Sequence, residues 1–124
     1  MRSRRLMGLR DLAKRLRTDS NELDNERLVN RFRDFNLTPI NQLTCRERSR
    51  IGGEVKRIRV APRHGIPTLE VVLSDGTGDA VAVFTGRRFI AGIEHGRAVV
   101  IEGVARDERG RRIMLNPAYT LVAG

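Results

Sequence analysis

With 124 residues the chain is long enough for one domain, and halves of it would bury too little apolar surface to stand as two. A single cysteine, Cys45, rules out an intrachain disulfide and makes a reducing cytoplasm the expected compartment, and with only His64 and His95 beside it a four-ligand zinc site is excluded. The formal charge of +9 attracts polyanions, and only Lys14 and Lys56 of the 24 cations are lysine, so the planar fork of arginine dominates.

The charge is uneven along the chain. Residues 1–17 carry seven cations and one anion, residues 18–47 four and six, and residues 48–124 thirteen and eight. In the first part Leu6, Leu9, Leu12, Ala13 and Leu16 recur at three- and four-residue spacing, with Arg5, Arg10, Lys14 and Arg17 off that stripe, which predicts a basic amphipathic helix. Thr18-Asp19-Ser20-Asn21 is expected to break it, and Glu22 to Phe35 to form a second helix that Pro39 closes. No apolar run reaches the length of a signal-peptide core or a membrane span.

From Arg48 the period changes. Ile51, Gly53 and Val55 alternate on one face, whereas Ile58 and Val60 alternate in the opposite phase, so a single bent strand from Ser49 to Ala61 with a β-bulge is expected. Pro62 to Pro67 is a loop, and Leu69, Val71 and Leu73 mark a second strand. Asp75-Gly76-Thr77-Gly78 has hairpin-turn chemistry and leads to a third strand, Asp79 to Thr85, with Val81 and Val83 opposed to Ala80, Ala82 and Phe84. Gly86 to Gly96 is a connection with room for a helical turn at Phe89 to Ile93. Ala98 to Ala105 is a fourth strand apolar on both faces, Asp107 to Gly110 a turn, and Arg111 to Asn116 a fifth strand. This order is that of the oligonucleotide-binding (OB) fold, a mainly β, five-stranded Greek-key barrel whose second and third strands and flanking loops form the usual binding face. Residues 1–40 are then a helical extension and residues 41–124 the barrel domain, with the leucine stripe expected to plug an open barrel end.

Several runs resemble a known group. Arg63-His64-Gly65-Ile66-Pro67-Thr68-Leu69-Glu70, Asp75-Gly76-Thr77-Gly78, Gly86-Arg87-Arg88-Phe89-Ile90-Ala91-Gly92-Ile93 and Leu115-Asn116-Pro117-Ala118-Tyr119 resemble the small actinobacterial-type OB-fold nucleic-acid-binding domain proteins. More distantly, Phe84 and Pro117-Ala118-Tyr119 are similar to an aromatic and a Pro-x-Tyr in the wedge domain of branch-migration helicases, which usually carries tryptophan where this chain has Phe84. The resemblance implies nucleic-acid binding.

Lys56, Arg57, Arg59, Arg63, Arg87 and Arg88 are the candidate phosphate contacts, Phe84 and Tyr119 the candidate stacking platforms, and Asn116 joins them through the resembling run. Phe84 is expected on the outer face because it opposes Val81 and Val83, although a core aromatic fits the same pattern. Low aromatic content argues for modest, salt-dependent affinity. Neither catalysis nor a cofactor or metal is expected: there is no phosphate-cradling Gly-x-x-x-x-Gly-Lys loop, and Asp75 and Asp79 flank a turn without the further oxygens of a calcium loop. The expected partner is single-stranded or distorted DNA, bound with little sequence preference. Two other readings stand beside it: an adaptor that binds a protein through the groove or the arm, and a membrane-surface protein held by the basic helix.

Overall fold

The computed structural model describes residues 8–123. One α-helix, α1 (Leu9–Phe32), precedes a 3₁₀ turn (Ile40–Gln42) and six strands: β1 (Arg48–Val60), β2 (Thr68–Ser74), β3 (Asp79–Thr85), β4 (Ala98–Glu108), β5 (Arg111–Leu115) and β6 (Ala118–Leu121). The sheet order is β1-β2-β3-β5-β4-β6, and β4 also pairs with β1, so five strands close a ring and β6 hangs on its β4 edge. β3 and β5 are parallel. This is the OB-fold barrel expected from the strand order.

β1 closes the ring by serving two partners. Its first half, Arg48 to Glu54, pairs with Val104 to Ala98, and its second half pairs with β2. Between them the register jumps from Val55↔Leu73 to Arg57↔Val72, leaving Lys56 as the bulged residue. The phase change in the sequence marks this bend, which a barrel of so few strands requires.

The interior is filled by Ile51 and Val55 from β1, Leu69, Val71 and Leu73 from β2, Ala80, Ala82 and Phe84 from β3, Val99, Ile101 and Ala105 from β4, and Met114 from β5. The alternate positions of the same strands build a second, smaller cluster, Val81, Val83 and Ile113 with Val72 against it. Both faces of β3 are therefore apolar and buried, and Phe84 is on the inner one, with 6% of its surface exposed. This corrects its expected outward position: alternation separates two phases, and here the phase holding the larger side chain points in.

α1 departs from the two-helix expectation. It runs unbroken through Thr18 to Asn21, where the Thr18 hydroxyl donates to the Lys14 carbonyl at 3.0 Å, satisfying the side chain inside the helix rather than at a cap. Only its C-terminal part docks. Leu28 and Phe32 bury against Ala98, Leu37 and Val122, while Leu9, Leu12, Leu16 and Leu23 remain exposed. The described leucines of the stripe are thus no barrel plug; Leu6 and Arg5 lie outside the described residues. Docking needs two close approaches: at Gly52 a Cβ would meet Leu37 at 2.7 Å and Phe32 at 3.0 Å, and at Gly76 (φ +88°) it would meet the Asn25 carbonyl oxygen at 2.2 Å.

Three further differences are local. Phe89 to Ile93 holds a reverse turn at Ala91-Gly92 instead of helix, with Gly92 at φ +87°. The Pro117-Ala118-Tyr119 run opens a sixth strand that the alternation of so short a segment did not reveal. Within the Pro62–Pro67 loop, Arg63 and Ile66 exchange backbone hydrogen bonds around His64 (φ +52°) and Gly65 (φ +78°), a two-residue hairpin.

Candidate nucleic-acid interface

Glu54, buried at the β1 bend, anchors α1 to the barrel. Its carboxylate accepts from both terminal nitrogens of Arg27 at 2.9 Å, from Arg31, and from Lys56 at 3.5 Å. Lys56 also donates to Asp24 at 3.1 Å, and Asp24 accepts from Arg27 at 2.8 Å. The Arg27 guanidinium, with help from Arg31 and Lys56, holds the Glu54 carboxyl at about 2, and Arg27 then Lys56 hold Asp24 below its ordinary value. Lys56 is therefore committed to the helix–barrel junction and not to a free surface.

Arg57 and Arg59 of β1 and Arg111 of β5 flank the outer face of β2 and β3. In register across it lie Arg57 beside Val72, Val72 beside Val81, and Val81 beside Ile113, so cationic stems border an apolar strip. Glu70, also buried, sits between Arg59 at 3.3 Å and Arg111 at 3.6 Å. Arg63 reaches both oxygens of Glu108, which also accepts from Arg106 at 3.0 Å, and this joins the β1–β2 loop to the β4–β5 hairpin. Those are the loops that bracket the binding face of an OB barrel.

The two ends of this face differ from its middle. At the β2–β3 turn a groove of about 600 Å³ is lined by Asn21 and Asn25 of α1, the turn itself, and Arg57, Arg111 and Arg112. Asp75 shapes the turn: its carboxylate accepts from the backbone nitrogens of Ile40, Thr77 and Gly78 and from the Thr77 hydroxyl. At the opposite end of β3, Gly86 donates to Pro67 and leads into Arg87, Arg88 and Phe89, the last with 73% of its surface exposed. The two ends are about 20 Å apart along the seven residues of β3. Among the described residues Arg57, Arg87, Arg88 and Arg112 make no ion pair and no side-chain hydrogen bond, so their charges are uncompensated at both ends of one track.

The residues singled out in the sequence thus separate into two sets. Arg57, Arg87 and Arg88 are free on the track. Arg59 and Arg63 border it but are paired with carboxylates, and Lys56 is withdrawn to the helix junction. Asn116 (φ +47°) is engaged in structure: its carboxamide accepts from the Thr85 backbone at 2.9 Å and donates to the Thr85 hydroxyl at 3.2 Å. Phe84 supports Tyr119 edge-on at 5.7 Å between ring centroids, and Tyr119, 39% exposed, is the member of that pair open to solvent. Sequence reasoning missed Arg111, Arg112 and Phe89. The first two start β5, and the parallel β3–β5 neighbourhood of the fold is the signal that places them; Phe89 was hidden by the expectation of a helical turn.

No family model and no curated protein matches this chain. Among solved structures, one of RecG bound to a three-way DNA junction superposes over 70% of this chain and 13% of that chain, with a TM-score of 0.59 at 18% identity. A replication protein A heterotrimer bound to single-stranded DNA matches over 62% of this chain and 58% of that one, with a TM-score of 0.48 at 17% identity. The N-terminal domain of PriB from Thermoanaerobacter tencongensis gives 62% and 97%, again with a TM-score of 0.48 at 17% identity. The likeness is one of fold, and the chain spans only 13% of the length of the RecG chain it matches.

Proposed function

We propose that this protein binds nucleic acid without reading its sequence, holding the phosphates of a single-stranded or distorted DNA at the two ends of β3, at Arg57 and Arg112 beside the β2–β3 turn and at Arg87 and Arg88 beyond Thr85. The observation that carries the reading is the placement of charge: four arginines without a counterion among the described residues stand at the two ends of β3, whereas the arginines that border it, Arg59, Arg63, Arg106 and Arg111, are neutralised by Glu70 and Glu108. Phosphate neutralisation gives such binding its affinity and its salt dependence. Exposed Phe89, beside Arg87 and Arg88, and Tyr119 supply flat surfaces on which bases stack. The runs that resemble the actinobacterial-type OB-fold proteins support the same assignment, and the RecG structure, bound to a DNA junction, favours DNA.

The test is fluorescence anisotropy of labelled single-stranded DNA, duplex DNA and single-stranded RNA at several salt concentrations. Saturable binding strongest for single-stranded DNA, with log affinity falling linearly in log salt, is expected. Absence of saturable binding to all three at low salt moves the assignment to the protein-adaptor reading.

A further inference from the structure

The N-terminal two-thirds of α1 is a helix with an apolar stripe that the barrel does not use. Leu9, Leu16 and Leu23 are 85%, 58% and 66% exposed, and Leu12 joins them. At 100° per residue these four fall within about 60° of arc, while buried Leu28 and Phe32 lie about 150° around the helix. The stripe therefore faces away from the side that docks.

Two features of the segment identify what covers it. Leu9 and Leu23 lie each seven residues from Leu16, with Leu12 on the same stripe between Leu9 and Leu16. The charge of the segment changes sign about the same centre: residues 9–15 hold three cations and one anion, and residues 17–23 hold two anions and one cation. Asp24 is turned to Arg27 and Lys56, leaving Asp19 and Glu22 for another partner. A parallel neighbour sets like charge against like. An antiparallel neighbour centred on Leu16 sets Leu9 level with Leu23, and the basic half against the acidic half, twice over by symmetry.

We propose that α1 pairs antiparallel with α1 of a second copy of this chain through Leu9, Leu12, Leu16 and Leu23. In this arrangement Arg15 of each copy lies two residues, about 3 Å along the axis, from the level of Asp19 of the other, on the same flank of the stripe. Each barrel sits at the Phe32 end of its helix, so the pair carries two binding faces at opposite ends of a rod, an arrangement that suits one long polyanion. The contact is helix against helix over about 22 Å, which places it among small, reversible interfaces.

Sedimentation equilibrium of the full chain tests this, independently of any nucleic acid. The weight-average mass is expected to rise from 14.0 kDa toward twice that value across about 1–200 µM. Leu12→Gln/Leu16→Gln is expected to remain monomeric with an unchanged thermal melt, because both side chains lie outside the core. Arg15→Asp is expected to weaken the dimer about tenfold and Arg15→Asp/Asp19→Arg to restore it. A wild-type chain that stays at 14.0 kDa overturns the proposal, whether or not it co-sediments with anionic vesicles, which is the result expected of a lipid-facing stripe. Association that survives the double glutamine substitution overturns the stripe as the contact, and failure of the charge swap to restore pairing overturns the antiparallel arrangement.

Discussion

Arg63 meets both carboxylate oxygens of Glu108, at 2.6 and 2.7 Å, and so ties the β1–β2 loop to the β4–β5 hairpin across the proposed binding face. Arg63, then Arg106, hold the Glu108 carboxyl below its ordinary value, so the contact persists through the neutral range. It also neutralises two cations that border the track. Glu108→Gln is expected to raise affinity for single-stranded DNA about three- to tenfold at low salt and to steepen the slope of log affinity against log salt by about 0.7 for each newly engaged arginine. Anisotropy titrations at four salt concentrations measure both quantities. Unchanged or weaker binding shows instead that the clasp supports the face.

Phe84 and Phe89 are expected to separate stability from binding. Phe84→Ala removes a core ring and its support of Tyr119, with an expected loss of about 3–5 kcal/mol in urea denaturation. Phe89→Ala is expected to leave stability within about 0.5 kcal/mol while weakening single-strand binding by about 1–3 kcal/mol, the contribution of one stacked base. The opposite assignment of effects contradicts the burial of the two rings.

These two residues also show what the sequence makes legible. The bulge at Lys56, the Asp75 to Gly78 turn and the strand order are encoded locally, in a phase change and in turn residues, and all three can be read from the residues. The orientation of β3 is not local. Ala80, Ala82 and Phe84 form one apolar row and Val81 and Val83 another, and the choice between them is made by what β2 and β5 bring to each side. Arg112 enters the proposed site only through the parallel pairing of β3 with β5, and the status of Lys56 or Arg63 is set by carboxylates 32 and 45 positions away in sequence. Positive charge was visible; compensation of that charge was not.

Glu54 makes acid lability a property of helix docking. Its folded-state value of about 2 lies below the ordinary 4.5, so the carboxylate contributes stability that is fully present above about pH 4.5 and is lost as the pH falls toward 2. Glu54→Gln is expected to cost about 2–3 kcal/mol at pH 7, and the difference from wild type should shrink to near zero by about pH 2. Urea denaturation at stepped pH follows this directly. A pH-independent difference assigns the loss to packing alone.

Gly76→Ala probes the same junction sterically. A Cβ there would overlap the Asn25 carbonyl oxygen at 2.2 Å, in a backbone conformation with φ +88° that side chains disfavour. The helix must then shift from the β2–β3 turn, with an expected loss of about 2 kcal/mol or more and faster amide exchange in Leu28 to Phe32 than in β2 and β3. Equal protection of helix and strands in the variant contradicts the tight approach.

The central claim is that uncompensated arginines at the two ends of β3 hold the nucleic acid. The direct measurement is anisotropy with labelled single-stranded DNA for the Arg57→Ala/Arg87→Ala/Arg88→Ala/Arg112→Ala variant, beside a control in which ion-paired Arg48 is replaced by alanine. The account predicts at least about a hundredfold loss for the quadruple variant, with a salt slope shallower by about 2 to 3, and little change for the control. Equal losses in both proteins, or a quadruple variant that binds with wild-type affinity and slope, would place the nucleic acid on another surface.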